Sequence, residues 1–255
     1  MSMAADGTPG ASTPHGHGPI VVVVDDPDAV ALEGARLVRA AATRAMAGRG
    51  VFRLTLAGGS TPRRLYARLA AAPVTDAMDW AHVQLFFGDE RCVPPQHPDS
   101  NFGMVQSILL DRINILSGNV HRMRGEESDP AAAAAAYARE LSRPLDLALL
   151  GIGSDGHTAS LFPHTGVLGE TVLACMAVDG PVLRTTRLTL TLPVFLETRE
   201  ILFLVTGSEK AEILREVVCG PLRPLELPSQ SIVRRAGPVT ILCDRAAAVL
   251  LPDSS

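Results

Sequence analysis

Residues 146–163, DLALLGIGSDGHTASLFP, decide the fold. Leu147, Ala148, Leu149, Leu150 and Ile152 form a short apolar run interrupted by Gly151, Gly153 and Gly156, the pattern of a buried strand entering a turn where the backbone must bend freely. Asp155 and His157 stand inside that turn. An open α/β sheet binds its ligand beyond the carboxyl ends of its strands, so both titratable groups fall where a ligand is expected. A lone histidine beside a glycine turn is more often a structural donor than a catalyst, and the surrounding chain must decide between the two.

Upstream, PIVVVVD at residues 19–25 reads as a strand buried on both faces. Val30, Leu37, Val38 and Ala41 then recur at helical spacing across residues 28–47, with Gly48 and Gly50 as the stop. A strand at 52–57 runs into Gly58-Gly59-Ser60-Thr61-Pro62. Thr61 is expected to cap the next helix with Pro62 in its first turn, and such a glycine turn offers an anion free N–H groups and a partial positive charge. A strand at 83–87 ends in Gly88-Asp89-Glu90-Arg91, and an irregular proline-containing loop at 92–100 precedes a helix from Asn101. Asp129 and Pro130 start a helix through six alanines, with Tyr137 and Leu141 to bury.

Downstream, strands are expected at 173–178, 187–191 and 201–205. The last ends in Gly207-Ser208-Glu209-Lys210, where Ser208 is the expected cap of a helix burying Ile213, Leu214, Val217 and Val218. A strand at 239–243 closes the order. Strands alternating with helices predict an α/β fold: an open, mostly parallel sheet with helices on both faces, a modified Rossmann-like arrangement. Four polar turns, at 58–62, 88–91, 151–157 and 207–210, then share one sheet edge and suit a phosphorylated metabolite beside a general base.

Composition sets the outer bounds. The 255 residues are 47% hydrophobic and 20% charged, which excludes a largely disordered chain. With 23 Lys+Arg against 27 Asp+Glu, a net charge of −4 and no dense basic block, nothing marks a nucleic-acid partner. Cys92, Cys175, Cys219 and Cys243 form no CxxC pair and read as reduced thiols. No apolar stretch approaches the roughly 20 residues that span a bilayer, so no membrane association and a cytoplasmic location are expected. Residues 1–18, including His15 and His17, read as a flexible tail before a single domain at 19–255.

Three motifs mislead. Gly151-Ile-Gly-Ser-Asp-Gly156 matches GxGxxG, but it lies mid-chain, is followed by His157, and Pro163 breaks any long helix after it. Ser60 lacks the trailing glycine of a GxSxG nucleophile elbow. His157 and His164 are seven residues apart with no matching carboxylate pattern, so no metal site is expected.

Taken together, LAGGSTPRRLY, FFGDERCVPPQHPDSNFGM and LLGIGSDGHTASLFP, followed by RLTLTLP and GSEKAEIL, resemble the 6-phosphogluconolactonase family, in the family's order and over nearly all of residues 21–250. The resemblance implies hydrolysis of a sugar-phosphate lactone without metal or organic cofactor, by a protein expected to be a monomer. It makes His157 the general base and Asp155 the group that orients it. It makes Ser60 and Thr61 the phosphate cradle, with Arg91 and Lys210 as its cations, and Gly58, Gly59, Asp89 and Arg187 as weaker binding positions; Arg184 competes with Arg187. The same superfamily contains glucosamine-6-phosphate deaminase, which has a glutamate where this chain has Phe162, and sugar-phosphate sensor domains, which carry a helix-turn-helix unit that the short segment before Ile20 is not expected to form.

Overall fold

The structure is a computed structural model that describes residues 18–180 and 185–252. Its strands are β1 (Ile20–Val24), β2 (Phe52–Leu56), β3 (Val83–Phe87), β4 (Asp89–Arg91), β5 (Leu147–Leu150), β6 (Cys175–Asp179), β7 (Thr186–Leu190), β8 (Glu200–Val205) and β9 (Val239–Asp244). The helices are α1 (Pro27–Arg49), α2 (Ser60–Leu69), α3 (Asn101–Ile108), α4 (Pro130–Glu140), α5 (Leu192–Glu197), α6 (Ala211–Cys219), α7 (Pro228–Arg235) and α8 (Arg245–Ala248). Six strands form an all-parallel sheet in the order β1-β9-β8-β5-β2-β3. With every strand pointing the same way, the segments leaving β2, β3, β5, β8 and β9 emerge along one edge.

Local chemistry explains the boundaries. Asp26 opens α1 by accepting the Ala29 N–H at 2.8 Å, Pro27 fills the first helical position, and Gly50 ends the helix at φ +72°. Asp129 and Pro130 open α4 in the same way, and Tyr137 from that helix exchanges hydrogen bonds with the Phe87 backbone at the end of β3. The apolar faces close one core through the sheet, with Phe52, Leu54, Leu85, Leu149, Phe203 and Ile241 at 0% exposure.

The structure corrects several expectations. The run at 19–25 is not buried on both faces: β1 is an outer strand, with Ile20 64% and Val23 47% exposed. Thr61 does not cap α2, whose cap is Gly59. Ser208 does not cap α6 either; residues 208–210 form a short 3₁₀ turn that leads into it. The 88–91 segment is not a simple turn. The chain bends at Gly88 and continues as β4 in a second sheet, antiparallel, of order β4-β7-β6. β6 and β7 are separated by only residues 180–185, too few for the crossover that parallel pairing requires. The short helices α5, α7 and α8 carry too few turns to show a period, although α5 and α7 open with prolines and α8 with a capping aspartate.

No helix among the described residues is long and apolar enough to cross a membrane. Residues 1–17, including His15 and His17, and Arg184 lie outside the described residues.

Candidate active site

A cleft of about 370 Å³ opens along the carboxyl edge of the parallel sheet. Every turn named from the sequence contributes to its lining: Gly58, Gly59, Ser60 and Thr61 after β2, Asp89 and Arg91 on β4, His157 after β5, and Lys210 after β8, joined by Arg187 from β7. Asp155 stands behind His157, its Oδ1 2.5 Å from the imidazole Nδ1. Since Asp155 engages Nδ1, Nε2 is the nitrogen available to chemistry. Asp155 Oδ1 also accepts the His157 backbone N–H at 3.1 Å, so one carboxylate holds both ring and main chain. Burial pushes the Asp155 carboxyl up, but the hydrogen bond and charge of His157 outweigh it and leave the group below its ordinary value.

Gly153 is fixed by this arrangement. A Cβ there would lie 2.1 Å from His157 Nδ1, so only glycine lets the ring settle over its own turn. No α-helix lies between β5 and β6, which removes the structural context of the dinucleotide fingerprint. On its other side the imidazole meets Phe162, with ring centroids 4.8 Å apart and planes at 50°. Phe162 is 3% exposed.

At the other end, α2 begins with no side-chain cap, and Gly59 sits at φ +102°. The first-turn N–H groups of α2 therefore face the cleft as unfilled donors for an anion. Thr61 Oγ1 is committed to Thr206 Oγ1 at 2.7 Å, which leaves Ser60 as the freer hydroxyl of the pair. Gly58 must be glycine because a Cβ would clash with the Asn101 carboxamide at 2.0 Å. Arg91 and Lys210 make no ion pair among the described residues; the Arg91 guanidinium donates to the Asp99 carbonyl.

The second sheet supplies the remaining charge. β4 and β7 pair so that Arg91 lies directly opposite Arg187, a like-charge arrangement that costs stability unless an anion is to be bound between the two. Burial, then the charge of Arg91, holds the Arg187 guanidinium below the usual arginine value. Arg187 lies over the Phe162 ring at 5.5 Å, and its Nη1 is 3.9 Å from Asp89 Oδ2. Asp89 is nearly buried, accepting from Ser160 Oγ at 2.6 Å and from Asn101 Nδ2 at 3.2 Å. Asn101, expected only as a helix start, and Ser160 and Thr206 are not among the site residues named from sequence, because their partners lie far away along the chain. Among the described residues, no group of three or more His, Cys, Asp or Glu side chains is placed to hold a metal ion.

Fold and cleft together define an α/β protein whose polar pocket suits a small anion. Residues 25–241 match the family of glucosamine-6-phosphate isomerases/6-phosphogluconolactonase, and the chain belongs to that family. It is 38% identical to the 6-phosphogluconolactonase of Haemophilus influenzae over 203 residues, 78% of this chain and 87% of that one. The structure of the 6-phosphogluconolactonase from Trypanosoma brucei superposes with a TM-score of 0.82 at 26% identity, covering 92% of this chain and 99% of the other. A monomeric glucosamine-6-phosphate deaminase shares the fold, with a TM-score of 0.79 over 91% of this chain and 99% of its own, at 22% identity.

Proposed function

We propose that the protein hydrolyses 6-phospho-D-glucono-1,5-lactone to 6-phospho-D-gluconate, the lactone-opening step of the oxidative pentose phosphate pathway. The observation that carries this reading is the Asp155–His157 pair, closed at 2.5 Å, in the same cleft as Lys210 and the uncapped start of α2. His157 Nε2 takes a proton from water as the oxygen attacks the lactone carbonyl. Asp155 keeps Nδ1 as the protonated nitrogen and stabilises the imidazolium that forms. The imidazolium then returns its proton to the ring oxygen as the carbon–oxygen bond breaks, so the base is regenerated without a cofactor.

The phosphate is the handle at the remote end. Ser60, the N–H groups at the start of α2, Arg91 and Lys210 bind it, with Gly58 and Gly59 allowing the backbone to approach, while Arg187 and Asp89 border the sugar. Held there, the carbonyl is presented to the water on His157. The single buried core supports one lactonase domain over residues 19–255; we infer that it acts in the cytoplasm as a monomer. The test is acid release from the phosphorylated lactone, measured against its spontaneous opening and against plain glucono-lactone. Faster turnover of the phosphorylated form, with KM raised by Lys210→Ala, is expected. Indifference of the wild-type protein to the phosphate would remove the assignment.

A further inference from the structure

Asp244, at the carboxyl end of β9, is a charged side chain with 2% exposure and no part in the chemistry above. Its partners among the described residues are backbone N–H groups. Oδ1 accepts from Ala247 at 2.8 Å and thereby caps α8. Both oxygens also lie 3.1 Å from the Gly207 N–H. A cap alone does not call for a buried carboxylate, because serine or asparagine caps a helix about as well without the cost of burying a charge. The bond to Gly207 is the additional task.

Gly207 occupies a backbone state at φ +97° that other residues rarely adopt. Its N–H is held by Asp244, and its carbonyl accepts the Lys210 N–H at 3.1 Å, closing the 3₁₀ turn that carries the lysine into the cleft. The chain of contacts therefore runs from Asp244 through both peptide groups of Gly207 to Lys210. We propose that Asp244 is a positioning residue for phosphate recognition: it sets the Gly207 turn and so the place of the Lys210 ammonium. This rests on Lys210 being the phosphate cation.

The experiment compares kcat/KM for the phosphorylated lactone with that for plain glucono-lactone, in wild type, Asp244→Ser and Asp244→Asn, with thermal unfolding in parallel. Serine retains the α8 cap but does not reach Gly207. Asparagine retains the cap and, through Oδ1, one acceptor 3.1 Å from the Gly207 N–H, while its NH₂ replaces the second. In Asp244→Ser the ratio of the two kcat/KM values falls by roughly ten- to a hundredfold, and in Asp244→Asn by less, since a misplacement of about 1 Å at a positioning contact costs up to 10²-fold. A merely structural role lowers both substrates together and leaves the ratio where it was. A wild-type ratio in folded Asp244→Ser, beside a wild-type enzyme that prefers the phosphate, overturns the role of Asp244. A wild-type enzyme with no such preference overturns the Lys210 assignment beneath it.

Discussion

Thr61 Oγ1 and Thr206 Oγ1 meet at 2.7 Å, tying the start of α2 to the end of β8 across the strand between them, β5. The two glycine turns that carry Ser60 and Lys210 are thus one unit. Thr206→Val removes the link and leaves the Thr61 hydroxyl without its partner. Stability should fall by about 1 kcal/mol, the typical worth of such a bond. KM for the phosphorylated lactone should rise with it. Urea unfolding and steady-state kinetics read the two effects, and an unchanged KM would mean that the turns are positioned independently.

Replacing His157 by alanine removes the base while leaving the phosphate end of the cleft intact. The expected result is a fall in kcat of roughly 10²–10⁴-fold with little change in KM. A variant that keeps wild-type kcat would make His157 a structural residue.

Asp155→Asn probes the group behind the base. The Asp155 carboxyl is lower in the folded protein than its ordinary value, because the pairing with His157 outweighs the effect of burial. A carboxyl lowered on folding contributes stability above its unfolded value, about 3.9, and loses that contribution as pH falls through the folded value. Wild type should therefore be more stable than Asp155→Asn at neutral pH, and the difference should close in acid below about pH 4. Denaturant titrations across that range check the sign, and a gap that widened in acid would contradict the pairing.

Glu90 faces away from the cleft and holds the start of α3. Oε1 accepts the Asn101 and Arg91 N–H groups at 2.7 and 2.8 Å, and Oε2 accepts the Phe102 N–H at 2.7 Å and the Ser100 hydroxyl at 3.1 Å. Glu90→Gln sets an NH₂ against two of these donors. The expected loss is about 1–3 kcal/mol of unfolding free energy, the cost of leaving buried groups unsatisfied. Equal denaturation midpoints for the two proteins would show that the helix start is held by other contacts.

The parallel sheet was legible because its strands are short β-branched and leucine runs ending at glycines, and parallel order alone brings their ends together. The second sheet was not. Only Gly88 separates β3 from β4, and a strand pattern says nothing about which strand will be its neighbour. The available signal was the close succession of the strands expected at 173–178 and 187–191, with too few residues between them for the crossover that parallel pairing needs. The outer position of β1 was equally hidden, since a run of valines reads alike at the centre and the rim of a sheet. Arg187, paired with Arg91 across β4 and β7, lines the cleft; Arg184, the alternative that the sequence left open, lies outside the described residues. Asn101, Ser160, Thr206 and Asp244 act on the site through partners from 12 to 145 residues away, beyond any local pattern.

Phe162 bears on the remaining alternative, deamination of glucosamine 6-phosphate. The resemblance places a glutamate there in the deaminase, partnering the histidine in opening the sugar ring. Here a buried phenyl ring packs on the imidazole and also carries the Arg187 guanidinium over it. A phenyl ring neither takes up a proton nor hands one on, whereas lactone hydrolysis asks only for a base to activate water. Asp89, the other group that the deaminase would use, is held by Ser160 and Asn101. The purified protein should release acid from the phosphorylated lactone and no ammonia from glucosamine 6-phosphate. Phe162→Ala should cost about 3–5 kcal/mol of stability as a large buried ring is lost, and lower kcat as the imidazole loses its wall. Ammonia at a catalytic rate, with lactone opening no faster than in buffer, would reverse the assignment.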